Sequence, residues 1–539
     1  MSSPAVRLPC IPRPHLHTLL ATAALTLAIG LCACSQPAES GDVLVFGRDK
    51  DAVTLDPATA FDGLSLTVTH VIYEGLTRYK PGTFDVEPCL ATSWSASDGG
   101  KVWLFRLRHG VRFQDGTDFD AEAVKFNFDR WRLPDDAFHT GGNYIYWESM
   151  FGGFPGRVTS VKVRSRYLVE IDLAQPLAPL LADLAMPAFA FASPTALNRE
   201  HATYFRSPVG TGPYRLAEWV KDDHITLARF DGYWGPKARI ATVILKDIPD
   251  TSAALLALRK GEIDGWEYPT PGALAQIAGD QTLTVYHAPS NSAMWLRINV
   301  THHPFGDVRV REAVAMGIDR VSIVKHFFDP TATVADELLP TAVWPRGVAV
   351  DPPYDPARAR ALLARAGFPR GFSTTLWYPT APRPYLPEPE GVAEAIQAQL
   401  RSIGIDARLQ GMEWSVWLQR IENGEHDLTV GGWTGDNGDP DNFLYATFDQ
   451  DAAHAPGASN TSFWRDPKYH ALVLAGQREL DPARRAAAYR QALSIIRDEV
   501  PAVSIAHTSS PIVFRAAVRG FVPSPDSMIS FQELYFTNP

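Results

Sequence analysis

The chain has 539 residues, with 50 Lys and Arg against 60 Asp and Glu, and a formal net charge of -10. An acidic chain without a basic run is a poor candidate for a nucleic-acid partner. The length predicts two or more domains, and with 45% hydrophobic residues the chain has ample core without disulfide bonds.

The N-terminal residues are typical of an exported protein. Arg7 and Arg13 are the only charged side chains before Cys34, and an apolar run extends from Leu19 to Leu31. The run is too short for an ordinary transmembrane helix, so it predicts a signal peptide over residues 1–33. The sequence LCACS around Cys34 resembles a bacterial lipobox, which predicts a lipid anchor on Cys34. Plain cleavage near Ala33 is the alternative.

Residues 42–128 predict a strand, a helix and a hairpin. Asp42 to Arg48 alternates as a strand does, and Leu66 to Leu76 favours a helix. Ser97 to Gly100 predicts a turn that leads into an alternating strand from Val102 to Arg108. A helix through Val124 and Phe128 follows, capped by Asp118 or Asp120. Cys89 has no disulfide partner in a mature chain whose only other cysteine carries lipid.

The stretch PVGTGPYRLAEW, residues 208–219, indicates a tight glycine-rich crossover into a strand. A loop that binds phosphate would need a helix after it and usually a lysine. Neither is present, so the glycines predict close backbone packing.

Residues 354–432 predict a parallel sheet. Asp355 caps a helix, Ser373 to Tyr378 is a strand, a helix covers residues 391–403, and Ile405 to Leu409 is a second strand. A helix from Trp414 to Ile421 and a strand from Asp427 to Gly431 complete the order. Strands that alternate with helices lie parallel, and ligands bind beyond their carboxyl ends. Arg383 follows the first strand and Asp436 the third, so both are expected at one sheet edge.

The segment GWTGDNGDPDNF, residues 432–443, lacks the spacing of a hand-type Ca²⁺ loop. It resembles the corresponding stretch of periplasmic dipeptide-binding proteins, within the family-5 extracellular solute-binding proteins of ABC importers. Further blocks carry the resemblance from residue 42 to the C-terminus: residues 90–124, 208–219, 231–235, 257–266, 304–320 and 354–368.

The resemblance implies an α/β periplasmic-binding-protein fold, with two lobes, a hinged cleft and an inserted subdomain. By resemblance, lobe I combines residues 42–76 and 207–290 with a C-terminal return from 510 to 539. Domain II occupies residues 77–206 and lobe III residues 291–509.

The resemblance also implies that Asp436 pairs with the ligand's amino group and that Arg383 binds its carboxylate. A free peptide carries both charges, and burying either one without a partner costs several kcal/mol. Weaker candidates for the cleft wall are Trp433, Gly435, Tyr385, Gly63 and Ser65. Asp439 and Asp441 are expected to serve the turn and the next helix. Trp414 and Trp417, three apart on a helix, are expected in the core.

The predicted function is therefore a binding lipoprotein that captures dipeptides or short peptides and delivers them to an inner-membrane permease. It needs no cofactor or metal, and it is expected to be a periplasmic monomer. The alternatives are another cargo on the same fold (antimicrobial peptide, haem, glutathione, nickel or a longer oligopeptide) and, more distantly, a secreted hydrolase. No HExxH zinc helix and no GxSxG elbow occurs in the sequence, which disfavours an enzyme.

Overall fold

The structure is a computed structural model that describes residues 42–344 and 352–537. Its strands are β1 (Val43–Arg48), β2 (Thr77–Tyr79), β3 (Val86–Pro88), β4 (Ala91–Ser97), β5 (Val102–Leu107), β6 (Val158–Ser165), β7 (Leu168–Leu173), β8 (Tyr214–Val220), β9 (His224–Arg229), β10 (Thr242–Asp247), β11 (Gly265–Glu267), β12 (Leu283–His287), β13 (Ser292–Ile298), β14 (Thr333–Val334), β15 (Phe372–Pro379), β16 (Ile405–Met412), β17 (Leu428–Thr434), β18 (Ala502–Thr508), β19 (Pro511–Arg515), β20 (Val518–Arg519) and β21 (Tyr535–Phe536).

The helices connect these strands and cover the sheets. They are α1 (Gly63–Ile72), α2 (Ala121–Arg132), α3 (Ile145–Phe151), α4 (Leu180–Asp183), α5 (Pro194–Glu200), α6 (Thr251–Lys260), α7 (Pro271–Ile277), α8 (Val308–Gly317), α9 (Arg320–Phe327), α10 (Pro356–Arg365), α11 (Pro389–Ser402), α12 (Trp414–Glu422), α13 (Asp441–Phe448), α14 (Pro467–Arg478) and α15 (Pro482–Glu499).

A seven-stranded sheet, with the order β12-β19-β11-β1-β10-β9-β8, forms the body that we call the seven-stranded lobe. Strand β1 lies parallel to β10 and to β11. Strand β19, from the last part of the chain, inserts between β11 and β12. This lobe therefore takes strands from the beginning, the middle and the end of the chain.

The hairpin predicted near residue 98 belongs to a four-stranded antiparallel sheet, β4-β5-β7-β6, which we call the four-stranded domain. Asp120 caps α2, because its side chain accepts from the backbone N–H groups of Glu122 and Ala123. The core of this domain is rich in aromatic side chains, including Trp131 and Trp147.

A six-stranded sheet, β14-β18-β13-β17-β15-β16, forms the six-stranded lobe. Strand β15 lies parallel to β16 and to β17, which confirms the predicted parallel arrangement. Strands β13 and β18 run antiparallel to their neighbours, so the whole sheet is mixed. Because β15 and β17 are parallel, the segments that follow Pro379 and Thr434 leave the sheet at the same edge.

Two short segments connect the seven-stranded and six-stranded lobes. Strand β12 ends at His287 before β13 begins at Ser292, and β18 ends at Thr508 before β19 begins at Pro511. The α/β class and the two-lobed fold with an additional domain are thus confirmed.

The glycine-rich stretch at residues 208–219 packs against the end of α1, as its glycines predicted. A Cβ atom on Gly210 would lie 2.2 Å from the carbonyl oxygen of Ile72. The Glu74 carboxylate, which follows α1, accepts from Tyr233 Oη at 2.8 Å, Trp234 Nε1 at 2.8 Å and Thr211 Oγ1 at 2.7 Å. One carboxylate therefore joins two of the sequence blocks, 208–219 and 231–235, to the end of α1, which gives both blocks a structural role.

Cys89 is a buried free cysteine, and burial holds the pKa of its thiol well above the usual range. The predicted signal peptide and Cys34 lie outside the described residues. None of the helices within residues 42–344 and 352–537 has both the length and the apolar composition that a bilayer crossing needs.

Candidate functional site

Asp436 lies just after β17, where the six-stranded lobe meets the four-stranded domain. Its Oδ1 accepts a hydrogen bond from Tyr146 Oη at 3.1 Å, and its Oδ2 accepts from Asn442 Nδ2 at 2.9 Å. Both donors are neutral, and within the described residues Asp436 forms no ion pair with Lys, Arg or His. Burial raises the pKa of Asp436, while the two hydrogen bonds act in the opposite direction. The site thus holds a partly buried carboxyl acceptor that has no countercharge among the described residues.

Asn442, in the first turn of α13, organises the loop around Asp436. Its Oδ1 accepts from the backbone N–H of Asp436 at 3.0 Å and from Trp433 Nε1 at 3.0 Å. Asn442 is part of the segment at residues 432–443 but was not among the predicted site residues. Tyr146 was not predicted either, because no local sequence signal exists for it.

Gly435 fixes the base of the same loop. Its N–H donates to the Asn291 carbonyl at 2.9 Å, and Asn291 Nδ2 donates to the Gly435 carbonyl at 2.6 Å. A Cβ atom at Gly435 would lie 2.5 Å from Asn291 Oδ1. A larger residue at position 435 would therefore push the loop away from the beginning of β13. Glycine at this position keeps the loop, and with it Asp436, close to Asn291.

Arg383 follows β15 at the same sheet edge as Asp436. Its guanidinium carbon lies 3.4 Å from the centre of the Trp414 ring. Its Nε is buried without a hydrogen-bond partner in the described structure, and Arg383 forms no ion pair there. Burial lowers the pKa of Arg383, although the side chain stays a strong cation. This guanidinium is held in place by an aromatic ring and has no carboxylate partner in the part of the chain that the structure describes.

The two tryptophans of α12 have different roles. Trp417 is 3% exposed and belongs to the core, as predicted. Trp414 is only partly buried and supports Arg383 by a cation–π contact, so the prediction of a core role is incomplete for it.

Tyr385 is a buried side chain that packs under the loop that carries Arg383, against Gly432. It is 8% exposed, and a Cβ atom on Gly432 would lie 2.5 Å from its ring. The neighbouring Pro384 carbonyl accepts from Thr508 Oγ1 at 3.0 Å. The loop is thereby attached to the end of β18, next to one of the two segments that connect the lobes.

Gly63 and Ser65 occupy different environments in α1 of the seven-stranded lobe. Gly63 is exposed and begins the helix, which Asp62 caps. Ser65 is fully buried, and its Oγ accepts from the backbone N–H groups of Val53 at 2.9 Å and Thr54 at 3.2 Å. The hydroxyl oxygen of Ser65 is therefore already used by two hydrogen bonds from the preceding loop. Gly63 remains accessible at the surface of the helix.

Asp439 serves the turn, as predicted, because its Oδ1 accepts from the backbone N–H of Asp441 at 2.9 Å. It also accepts from both terminal nitrogens of Arg485, each at 2.6 Å. This bidentate pair attaches the loop to α15.

One group of described residues has metal-ligand atoms close together: those of Asp449, Asp451 and His470 lie within 4.8 Å of one another. His470 Nδ1 already forms a hydrogen bond with Asp449 Oδ1 at 2.9 Å. Asp449 also accepts from the backbone N–H of Asp451 at 2.9 Å. These bonds account for the group as local structure.

Comparison with known proteins defines the class. The family described as bacterial extracellular solute-binding proteins, family 5 Middle, matches residues 85–454, and the chain belongs to this family. The dipeptide-binding protein of Escherichia coli (strain K12) is 35% identical over 522 residues, which cover 93% of this chain and 96% of that protein.

Two further proteins show the range of cargo names in the family. Heme-binding protein A of Haemophilus influenzae (strain ATCC 51907 / DSM 11121 / KW20 / Rd) is 29% identical over 95% of this chain and 97% of its own. The structure of the periplasmic binding protein DppA from Helicobacter pylori in complex with the peptide STSA has a TM-score of 0.77 and 33% identity. That match covers 92% of this chain and 98% of the other. The family is one of solute binding for transport.

Proposed function

We propose that this protein captures dipeptides or short peptides in the cleft between its lobes and delivers them to the membrane permease of an ABC importer. The observation that carries the proposal is Asp436, a partly buried carboxylate held by two neutral donors. Arg383, at the same sheet edge, also lacks an ion pair among the described residues. A free peptide would supply the ammonium and the carboxylate that these two side chains need. The dipeptide-binding relative supports the same cargo.

The test combines native mass spectrometry of the protein as purified from cells with calorimetric titration. We expect a co-purified mass of a short peptide, and binding of a free dipeptide. The N-acetylated and the C-amidated forms should each bind at least about tenfold more weakly, because each leaves one buried charge unpaired. A co-purified haem, glutathione, nickel complex, antimicrobial peptide or longer oligopeptide, together with no binding of dipeptides, would overturn the proposal.

Closure of the cleft is the second part of the proposal. The boundaries predicted from the sequence are 42–76, 207–290 and 510–539 for lobe I, 77–206 for domain II and 291–509 for lobe III. The two short connections at residues 287–292 and 508–511 support a hinge there. Small-angle scattering should show a smaller radius of gyration with a tight ligand than without one. An unchanged radius at saturation would argue against closure.

We also propose that the mature protein is a periplasmic monomer with a lipid on Cys34 and that it returns its ligand unchanged. The sequence around Cys34 supports the anchor. Metabolic labelling with a fatty acid should mark the wild type and not the Cys34→Ser variant. Turnover of a bound dipeptide by pure protein would contradict the non-enzymatic role.

A further inference from the structure

The four-stranded domain meets the six-stranded lobe at a second place beside the Tyr146–Asp436 contact. Asn437 Nδ2 donates to Asp183 Oδ1 at 2.7 Å, and the Ala178 N–H donates to the Gln477 carbonyl at 2.8 Å. Asp183 ends α4 of the four-stranded domain, whereas Asn437 and Gln477 belong to the six-stranded lobe. Separation of the two bodies would break both bonds and return Asp183 to water.

Three carboxyl groups, those of Asp183, Asp439 and Asp441, lie at this contact with few cations near them. Asp183 is 2% exposed, and Asp439 and Asp441 from the facing loop act on it electrostatically. Both terminal nitrogens of Arg485 are engaged by Asp439. Asp441 Oδ2 accepts only a neutral donor, Gln477 Nε2, at 2.8 Å. Asp439 alone among the three carboxyl groups therefore has its own cation within the described residues.

The remaining neighbours of Asp183 do not neutralise it. Arg157 acts on the carboxyl only at a distance, without an ion pair in the described structure. On the β2 side, Tyr79 Oη donates to the Ala182 carbonyl at 2.8 Å, and burial holds the pKa of Tyr79 well above its usual range. The groups that face Asp183 from the elements around it are Tyr79, Arg157, Asn437, Asp439, Asp441 and, behind Asp439, Arg485.

Burial, followed by the charges of Asp439 and Asp441, holds the pKa of Asp183 well above its ordinary value in this arrangement. Burial also raises the pKa of Asp441 to about 6. When the two bodies separate, Asp183 regains water and loses its acidic neighbours, so its pKa falls back towards the ordinary value.

We propose that closure of the cleft takes up a proton at the Asp183 contact, so that the closed form is favoured in acid. At pH values between the Asp183 pKa of the open form and that of the closed form, the closed form binds more protons. The preference for the closed form therefore weakens as the pH rises. For one proton this linkage weakens closure by up to about tenfold per pH unit. The inference rests on the closure proposed above, and it rests on the proposed cargo only where a peptide is used to drive closure.

The first test is calorimetric titration of a free dipeptide in two buffers with different heats of protonation. The wild type should take up protons on binding, at most about one at Asp183, at pH values above the ordinary aspartate range, and its Kd should rise as the pH increases. The Asp183→Asn variant keeps a side-chain oxygen that can accept the hydrogen bond from Asn437. Its amide does not take up a proton at position 183. Its proton uptake should be smaller than that of the wild type, and its Kd should change less with pH. Equal uptake by both proteins would overturn the proposal.

The second test needs no ligand and so separates this inference from the proposed cargo. The radius of gyration of the ligand-free wild type should decrease as the pH is lowered. That of Asp183→Asn should decrease less but not stay constant, because burial at the neighbouring Tyr146–Asp436 contact also raises the pKa of Asp436. Asp441→Asn, which removes one acidic neighbour, should show an intermediate pH dependence and serves if Asp183→Asn does not fold. A wild-type radius independent of pH would reject the proposal even if dipeptides bind. A pH-dependent radius without any dipeptide binding would reject only the proposed cargo.

Discussion

Tyr146 Oη, in the four-stranded domain, donates a hydrogen bond of 3.1 Å to Asp436 Oδ1, in the six-stranded lobe. The carboxylate that we assign to the ligand's amino group is thus held from both bodies, since Asn442 binds its other oxygen. Neither donor carries a charge. When the two bodies are in contact, the charge of Asp436 is stabilised only if the ligand supplies a cation. A ligand with an ammonium group therefore favours the closed form.

Asp436→Asn should weaken the binding of a free dipeptide strongly while leaving the fold intact. The variant leaves the ligand's ammonium buried without its countercharge, and such a loss typically costs about 2–5 kcal/mol. Calorimetric titration measures the change. Asp406→Asn removes an exposed carboxylate from the same lobe and should bind as the wild type does. If Asp436→Asn bound the free dipeptide as tightly as the wild type, the assignment of the amine anchor would be wrong.

Tyr146→Phe should weaken the binding of a free dipeptide by less than Asp436→Asn does. The change removes one hydrogen bond to a charged group, worth about 1.5–3 kcal/mol, and keeps the ring that packs against the cluster of Ala60, Leu66 and Met528. In a background of Asp436→Asn the same change should have a smaller effect, because the charged acceptor is gone. Equal effects in both backgrounds would show that Tyr146 does not act through Asp436.

Arg383→Lys should weaken binding although it keeps the positive charge. Lysine lacks the planar pair of donors and stacks poorly on Trp414, so both the contact to the ligand's carboxylate and its support are lost. We expect at least about a tenfold rise in Kd for a free dipeptide, which corresponds to about 1.4 kcal/mol. A C-amidated dipeptide should lose much less affinity on this change. A similar loss for both ligands would indicate a structural role for Arg383.

Stability should fall in mild acid because of His426. Burial lowers the pKa of His426 to about 3 in the folded protein, whereas an unfolded chain has an ordinary imidazole near 6.5. The unfolded state therefore binds more protons between these values, so the free energy of unfolding decreases as the pH falls from about 6.5 towards 3. His426→Leu should show a flatter profile than the wild type in urea unfolding across this range. His454→Leu, at an exposed imidazole, should keep the wild-type slope.

The sequence by itself determined the order of strands and helices at residues 372–434 and the parallel arrangement of the strands there. The alternation of strands and helices at residues 372–434 predicted that β15 and β17 are parallel, and it followed that Arg383 and Asp436 leave one sheet edge. This worked because periodicity and caps such as Asp120 are local properties. The segment at residues 432–443 could likewise be recognised without coordinates.

The tertiary structure alone decided what surrounds those residues. Tyr146 is 290 positions from Asp436, and Asp183 is 254 positions from Asn437. No pattern near Tyr146 or Asp183 indicates these contacts, because they depend on how separate bodies are placed against each other. Trp414 shows the same limit: its spacing from Trp417 predicted a core residue, but whether its ring packs inward or supports Arg383 depends on the position of another loop.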